Sequence, residues 1–210
     1  MISLSRAKDF WYNPEKVILT NLFFRNFSHT FALIYLSSIF LLKIGRDEWP
    51  MLILGVQVFV LFYIFSTNFI KKRVFYKVHS TLVVLAALLL GAFYFSQDSL
   101  ILIGLCTTFV FLVDLIGGIS GTNAMMKVVD SLVYKQLNPK IVRSSTLAHV
   151  AASIMVIGVQ RWGGTLSFCV LAILGMLMHF LYYNRLTSLA MDNSKGNPYE
   201  GFKISSWENF

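Results

Sequence analysis

Six hydrophobic runs, each near the length of a membrane-spanning helix, dominate this chain of 210 residues. A helix needs about 20 apolar residues to cross the hydrocarbon core of a bilayer. The runs fall at residues 27–44, 50–70, 75–97, 99–122, 146–162 and 165–184. Hydrophobic residues make up 56% of the chain and charged residues only 13%, which is too little polar surface to cover a water-soluble globule of this size. The sequence therefore predicts an all-α, polytopic membrane protein with six transmembrane helices.

The distribution of Lys and Arg predicts how these helices are oriented. If the N-terminus is cytoplasmic, only Lys43, Arg46 and Arg161 fall on the outer side. The other fifteen of the 18 basic residues then lie on or near the cytoplasmic face: Arg6, Lys8, Lys16, Arg25, Lys71, Lys72, Arg73, Lys77, Lys127, Lys135, Lys140, Arg143, Arg185, Lys195 and Lys203. Because Lys and Arg concentrate in cytoplasmic loops, this asymmetry predicts that both termini are inside.

The same asymmetry explains the net charge of +8. Basic residues in short inner loops lie beside anionic lipid headgroups, so the charge does not call for a nucleic-acid partner. We expect the lipid bilayer to be the main partner and a bacterial cytoplasmic (inner) membrane to be the location.

The chain divides into three segments by composition. Residues 1–20 form a mixed segment that suits the inner membrane interface, residues 21–187 hold the six-helix bundle, and residues 188–210 form a polar cytoplasmic tail. Short polar stretches at Gln97-Asp98-Ser99 and Trp162-Gly163-Gly164 predict tight outer turns between antiparallel helices.

The connection between the fourth and fifth spans is longer. No proline occurs from Asp98 to Leu137, and residues 123–134 keep the apolar spacing of a helix, so the helix is expected to continue past the fourth span. Asn138-Pro139 is expected to end it, because a residue before proline avoids the α region. A new helix is then predicted from about Ser144. Its small residues, among them Ala148 and Ala152, would let neighbouring helices approach closely.

Three stretches give the chain a resemblance to a known family. Thr67–Arg73 stands where major facilitator transporters have a carboxylate followed by basic residues, with Asn68 at the carboxylate position and Lys72 at a basic one, although the usual glycines are absent. Asn138–Arg143 is similar to the pattern of the branch that includes ATP/ADP translocases. The tail Asn197–Lys203, followed by Trp207–Phe210, resembles the central loop that leads into a seventh helix.

The resemblance implies the N-terminal six-helix half of a major facilitator superfamily transporter. Such a half would pair with a second six-helix bundle, supplied by a homodimer or by a separate chain. A small solute would bind between the two bundles and gain access to each side by rocking of one bundle against the other. The alternative is a non-transporting membrane subunit that scaffolds or assembles a larger complex through its basic inner surface.

Asp114 is the most informative single residue, because it lies in the middle of the fourth hydrophobic run. A carboxylate at mid-bilayer costs several kcal/mol unless it faces a cavity, a partner or a proton. One interpretation is proton coupling, and another is pairing with a cation of the substrate. The structural alternative is a carboxyl group that ties helices together by hydrogen bonds.

Three further residues are candidates for substrate binding or coupling. Arg25 and His29 are four residues apart and therefore share one helical face, where together they could bind an anionic group such as that of a nucleotide or organic acid. The alternative places Arg25 at the lipid headgroups and His29 in ordinary packing. His179 suits either a proton relay or a hydrogen-bonded residue of the inner interface.

Five residues near the inner ends of the spans are candidates for an inner gate formed by charge pairing. They are Asn68, Lys72, Lys127, Asp130 and Arg143. The alternative is that they form an ordinary solvated face.

Other polar positions in the apolar runs have simpler explanations. His79 and His149 are expected to be structural, and Thr107 and Thr108 are expected to form hydrogen bonds between helices. The glycine-rich stretch 117–121 suits either a bend in the fourth helix or tight packing against a neighbour.

The usual signatures of enzymatic chemistry are missing. Cys106 and Cys169 fall inside hydrophobic runs away from other ligands, and there is no Walker glycine–lysine loop, H-E-x-x-H or G-x-S-x-G motif. We therefore expect no enzyme, no metal site and no cofactor.

Overall fold

The computed structural model describes residues 11, 13–44, 72–129 and 131–193. Five long α-helices contain almost all of these residues, and none of the described residues belongs to a β-strand. The helices are α1 (Pro14–Ile44), α2 (Lys72–Phe95), α3 (Leu100–Val128), α4 (Ser131–Gly158) and α5 (Gly164–Asn193). A π-helical turn, Val159–Gly163, joins α4 to α5. The all-α prediction is confirmed for this part of the chain, and the run at 50–70 lies outside it.

Local sequence explains why α1 begins well before its hydrophobic run. Asn13 accepts a hydrogen bond from the backbone N–H of Lys16 through its side-chain oxygen, at 3.2 Å. Pro14 occupies the first helical position, where its missing N–H has no intrahelical partner to lose, and Glu15 lies in the positively polarised first turn. The predicted boundary between residues 20 and 21 therefore lies within a continuous helix.

The predicted turn between α2 and α3 is confirmed. α2 ends at Phe95, residues 96–99 form the turn, and the hydroxyl of Ser99 caps α3 by accepting from the backbone N–H of Leu102 at 3.3 Å. α2 and α3 consequently form an antiparallel pair.

The predicted break at Asn138-Pro139 is wrong. α3 ends earlier, at Val128. The residue that follows, Val129, is extended (φ −122°, ψ 140°), and α4 runs through Pro139. Proline inside a helix costs about 3 kcal/mol because it removes a hydrogen bond and crowds the preceding turn. Leu137, before the proline, is buried together with Ala148 and Ala152 beyond it. Burying one face on both sides of Pro139 requires a continuous helix, and this packing offsets the cost.

α1 lies at the centre of the bundle and packs against α3, α4 and α5. Arg25 contacts Asp114, whereas Lys43, further along α1, contacts the earlier residue Asp98. α3 is therefore antiparallel to α1.

α4 runs parallel to α1, since Thr30 contacts His149 at 2.6 Å and the later Ser38 contacts Gln160 at 2.7 Å. The chain then reverses at the predicted turn, where Gly164 has a φ of +64° that residues with a side chain rarely adopt. Two of the small residues of α4 that were expected to permit close packing, Ala148 and Ala152, are fully inaccessible.

Two apolar clusters divide the core. The larger contains Phe31, Phe93 and Phe168, and the smaller contains Ile18, Met125 and residues such as Leu186 near the opposite end. Along α1, α3 and α5, polar side chains fall between the two clusters. Together with His79 from α2 they form a central polar layer, which consists of Asn21, Arg25, His29, His79, Asp114, Ser120 and His179.

Three stretches of the described residues are long and apolar enough to cross a membrane. They are Val78–Phe95, Leu100–Val128 and Val133–Met191. The last of these contains most of α4, the π-helical turn and most of α5. Many large apolar side chains also lie on the outside of the bundle, for example Leu88 and Ile154. These features are those of a multi-pass membrane protein, whose outer surface faces lipid rather than water.

Candidate functional site

Asp114 pairs with Arg25 in the central polar layer. It is the fifteenth of the 29 residues of α3, and its Oδ1 accepts a hydrogen bond from Nε of Arg25 at 2.8 Å. The side chains of Arg25 and Asp114 are 19% and 22% exposed. A charged residue inside a membrane span needs such a partner. In this structure the cation beside Asp114 therefore belongs to the protein itself.

His29 approaches the same carboxylate from one helical turn further along α1. Its Nδ1 lies 3.6 Å from Oδ2 of Asp114, which is longer than a hydrogen bond. The other ring nitrogen, Nε2, is buried and has no hydrogen-bond partner among the described residues. The face shared by Arg25 and His29 is thus directed at Asp114.

An open groove of about 480 Å³ lies beside this pair. Its lining residues are Arg25, Asp114, Leu115, Gly118, Ile119, Thr122 and Asn123. Gly118 is needed for the position of the guanidinium, because a Cβ at this residue would lie 2.7 Å from Nη2 of Arg25. The glycine therefore allows a cationic side chain to lie flat against α3 and to face the groove.

His79 and His179 form a second, fully buried part of the polar layer. Their Nε2 atoms are 3.0 Å apart, and Nδ1 of His179 lies 3.1 Å from Oδ1 of Asn21. Neither histidine has exposed surface. A Cβ on Gly117 would lie 2.7 Å from Cε1 of His79, so this glycine makes room for the ring.

Sequence analysis did not find this pair, because 100 positions separate the two histidines. The two neighbouring glycines do fit the tight-packing alternative proposed for the glycine-rich stretch, since α3 continues through them as one helix. Gly117 faces the histidines and Gly118 faces Arg25.

Tyr183 joins α5 to α3 beside the histidines. Its hydroxyl donates to Oγ of Ser120 at 2.8 Å, and Ser120 in turn donates to the carbonyl of Ile116 at 2.6 Å. The rings of Tyr183 and His79 have centroids 4.1 Å apart. Hydrogen bonds and ring contacts therefore connect α1, α2, α3 and α5 at this level of the bundle.

The inner gate stays a prediction. Asn68, Asp130 and the side chain of Lys72 lie outside the described residues. Lys127 is in the last turn of α3, and Arg143 is exposed on α4.

A contact that the sequence did not predict occurs at the same end of the bundle. Nζ of Lys140 donates to Oε1 of Glu15 at 2.5 Å and links α4 to α1.

Within residues 13–44, 72–129 and 131–193, Thr107 and Thr108 form no hydrogen bond to another helix, although such bonds were expected. Both hydroxyls donate at 2.8 Å to carbonyls of their own helix, those of Ile103 and Gly104. A helical threonine reaches the carbonyl four residues earlier without any rearrangement, so this local bond competes with one to a neighbouring helix. His149, expected to be structural, contacts Thr30 across helices.

Within the described part of the chain, no group of three or more His, Cys, Asp or Glu residues could hold a metal ion. Cys106 and Cys169 are buried free thiols. The polar layer instead contains one ion pair, one histidine pair and an open groove. What this arrangement can do is bind an anion at Arg25 and exchange protons.

These observations define a helical, multi-pass membrane protein with a charged layer inside its bundle. No protein-family model, no curated protein and no solved structure matches the chain.

Proposed function

We propose that this chain is one bundle of a solute transporter that moves a small anion by alternating access. The observation that carries the proposal is the position of Arg25, a cation within the bundle that faces an open groove of about 480 Å³. Charged residues inside membrane spans typically lie on substrate or ion pathways.

Among the described residues, Arg25 uses only part of its hydrogen-bonding capacity. Its Nε is bonded to Asp114, and its two Nη groups have no hydrogen-bond partner among the described residues. Guanidinium N–H groups match the geometry of carboxylate and phosphate oxygens, which they bind in pairs. A bound solute would share Arg25 with Asp114, and Thr122 and Asn123 would supply further polar contacts from the groove wall.

Asp114 is suited to couple this binding to protons. While ionised, it neutralises Arg25 and competes with any anion in the groove. A proton on Asp114 would remove that competition and leave the guanidinium for the solute. Proton and anion would then cross together.

A second bundle would complete the pathway. The described residues that line the groove come from α1 and α3, and six helices alone would not enclose the cavity of a twelve-helix transporter. We propose a partner bundle, from a second copy or a separate chain, related by an axis along the membrane normal. An integral scaffold subunit is the competing function, and it is favoured by the fact that the charge of Asp114 is already neutralised inside the protein.

Uptake into liposomes separates these two functions. Purified protein should be reconstituted and tested with radiolabelled phosphate, ADP and succinate. We expect uptake of at least one of them, reduced more than about tenfold in Arg25→Gln, because the anion loses its charged ligand. Arg161→Gln is the matched control, since Arg161 is exposed in the turn after α4. Absence of uptake of all three by folded protein would support the scaffold instead.

The coupling role of Asp114 has its own test in the same liposomes. In Asp114→Asn, uptake driven by a proton gradient should collapse, whereas exchange at equal pH should persist, because only the coupled step needs a group that gains and loses a proton. Equal loss of both activities would contradict a coupling role.

A further inference from the structure

We propose that His79 and His179 form a proton-binding pair beside the Arg25 groove, so that a proton on the pair favours a bound anion. The proton site stands on its own contacts. Its effect on anion binding rests on the proposed function.

The hydrogen bonds determine where the protons lie. Oδ1 of Asn21 can only accept, so Nδ1 of His179, 3.1 Å away, must donate to it. If His179 is neutral, its Nε2 then carries a lone pair and accepts from Nε2–H of His79, 3.0 Å away. This leaves a lone pair on Nδ1 of His79, which is buried and has no hydrogen-bond partner among the described residues.

That unpartnered nitrogen is the acceptor for an added proton. The step is simple addition: one proton from water bonds to Nδ1 of His79, and the charge of the pair rises from zero to +1. No second proton fits, because an N–H···N hydrogen bond between the Nε2 atoms requires one of them to lack a proton. The pair therefore takes up one proton and not two.

The surroundings place this charge close to the groove. Burial is the main influence against a charge on either histidine, and the positive charge of Arg25 on α1 also opposes it. Asp114 on α3 favours a positive charge on His79. Tyr183 on α5 contacts the His79 ring. A positive charge on the pair adds to that of Arg25 and is attracted by Asp114, so the groove becomes more favourable for an anion.

A small cavity lies between the groove and Asn21, the hydrogen-bond partner of His179. It has a volume of about 10 Å³, roughly what one water molecule needs, and its lining includes Asn21, Arg25, Gly117 and Thr122. Arg25 and Thr122 also line the groove, and a Cβ on Gly117 would meet the ring of His79. One water in this cavity would lie between the groove and Asn21, which accepts from Nδ1 of His179.

A metal ion held by the two histidines is the competing occupant. Two imidazole nitrogens on a tetrahedral zinc ion lie roughly 3.3 Å apart, given Zn–N bonds of about 2.0–2.1 Å. The observed 3.0 Å is the length of a hydrogen bond. The described residues also offer no third ligand from His, Cys, Asp or Glu.

Nitrogen NMR of the full chain, labelled with ¹⁵N-histidine and held in lipid nanodiscs, tests the proton site. We expect His79 to be protonated at Nε2 and His179 at Nδ1, and lowering the pH should add one proton, at Nδ1 of His79. His79→Gln keeps a hydrogen-bonding side chain and should abolish this uptake. His149→Gln, at an exposed histidine, should leave the pair unchanged.

Three results would overturn the proton site. They are the opposite tautomers at neutral pH, no proton uptake by the pair down to the lowest pH at which the protein stays folded, and stoichiometric zinc that is lost in His79→Gln.

Binding of sulfate tests the link to the groove, because the charge of this anion is constant over the same range. In wild type we expect the affinity to rise about fivefold or more as the pH falls, the lower end of usual coupling between sites. This rise should be smaller in His79→Gln.

The two proposals can fail separately. An equal rise in His79→Gln would refute the link and leave the anion site standing. Proton uptake by the pair without any binding of sulfate would refute the anion site and leave the proton site standing.

Discussion

Two Asp residues of the described part of the chain pair with Lys or Arg in different surroundings. Arg25–Asp114 lies in the middle of α3, with both side chains about one-fifth exposed, whereas Lys43–Asp98 lies at the turn before α3, where Asp98 is fully exposed. Their N–O distances are similar, at 2.8 and 2.6 Å. Contact geometry alone therefore does not distinguish them.

Their environments give the two pairs different consequences. At the exposed turn, water solvates each charge when its partner is removed, so the pair contributes little. Inside the bundle an unpaired charge has much less access to water, and loss of one partner is costly. We therefore expect function at the inner pair. The difference between the interior of the bundle and its exposed ends leads to four predictions.

The largest expected effect is on the labelling of cysteines at the two ends of the bundle, because a membrane should separate these ends. Single cysteines at Asp98 and Gly163, in a background lacking both native cysteines, should react with an impermeant thiol reagent added outside sealed cells. Cysteines at Lys72 and Lys140 should react only after permeabilisation. Labelling of this second pair in sealed cells would contradict the predicted orientation.

Removal of one member of the inner pair should destabilise the protein. We expect Asp114→Asn or Arg25→Gln to lower the free energy of unfolding by about 3 kcal/mol, the lower end of the range for buried pairs, because each side chain keeps some exposure. The double variant should recover most of this loss, since no unpaired charge remains. Reversible unfolding in mixed micelles measures all three, and additive losses would contradict the pairing.

Packing around the polar layer should tolerate an added methyl group less well than packing elsewhere on α3. Gly117→Ala should cost about 1–3 kcal/mol, because its Cβ would lie 2.7 Å from the His79 ring. Gly104→Ala on the same helix meets nothing within 4 Å and should stabilise by up to about 1 kcal/mol through helix propensity. The same unfolding experiment applies, and equal effects at both sites would argue against tight packing at His79.

The smallest expected effect concerns the exposed pair. The hydrogen bond donated by Lys43 holds the pKa of the Asp98 carboxyl below its ordinary value. The pKa of Asp98 is lower in the folded state than in the unfolded state. The Lys43–Asp98 pair therefore contributes to stability above the ordinary carboxyl pKa, and this contribution is lost as the pH falls through the folded-state pKa. Asp98→Asn should remove only this slight acid dependence, and high salt should mask it. A large loss of stability in Asp98→Asn at neutral pH would contradict the small contribution expected of an exposed pair.

Features that depend on neighbours in sequence were predictable. The turns at residues 97–99 and 162–164 are where polar and glycine residues interrupt apolar runs. The position of Asp114 in the middle of a helix also followed, as did the common face of Arg25 and His29, because helical spacing is local. The exception is Pro139, where the local preference to end a helix lost to burial on both sides.

Partnerships across the bundle were decided by the tertiary structure. Asp114 is 89 positions from Arg25, and His79 is 100 positions from His179. Whether such residues meet depends on the rotation and register of whole helices, which are set by the combined packing of many apolar side chains. Helix positions follow from local patterns of hydrophobicity, whereas the partner of each buried charge follows from how those helices pack, because a small rotation would place a different residue opposite it.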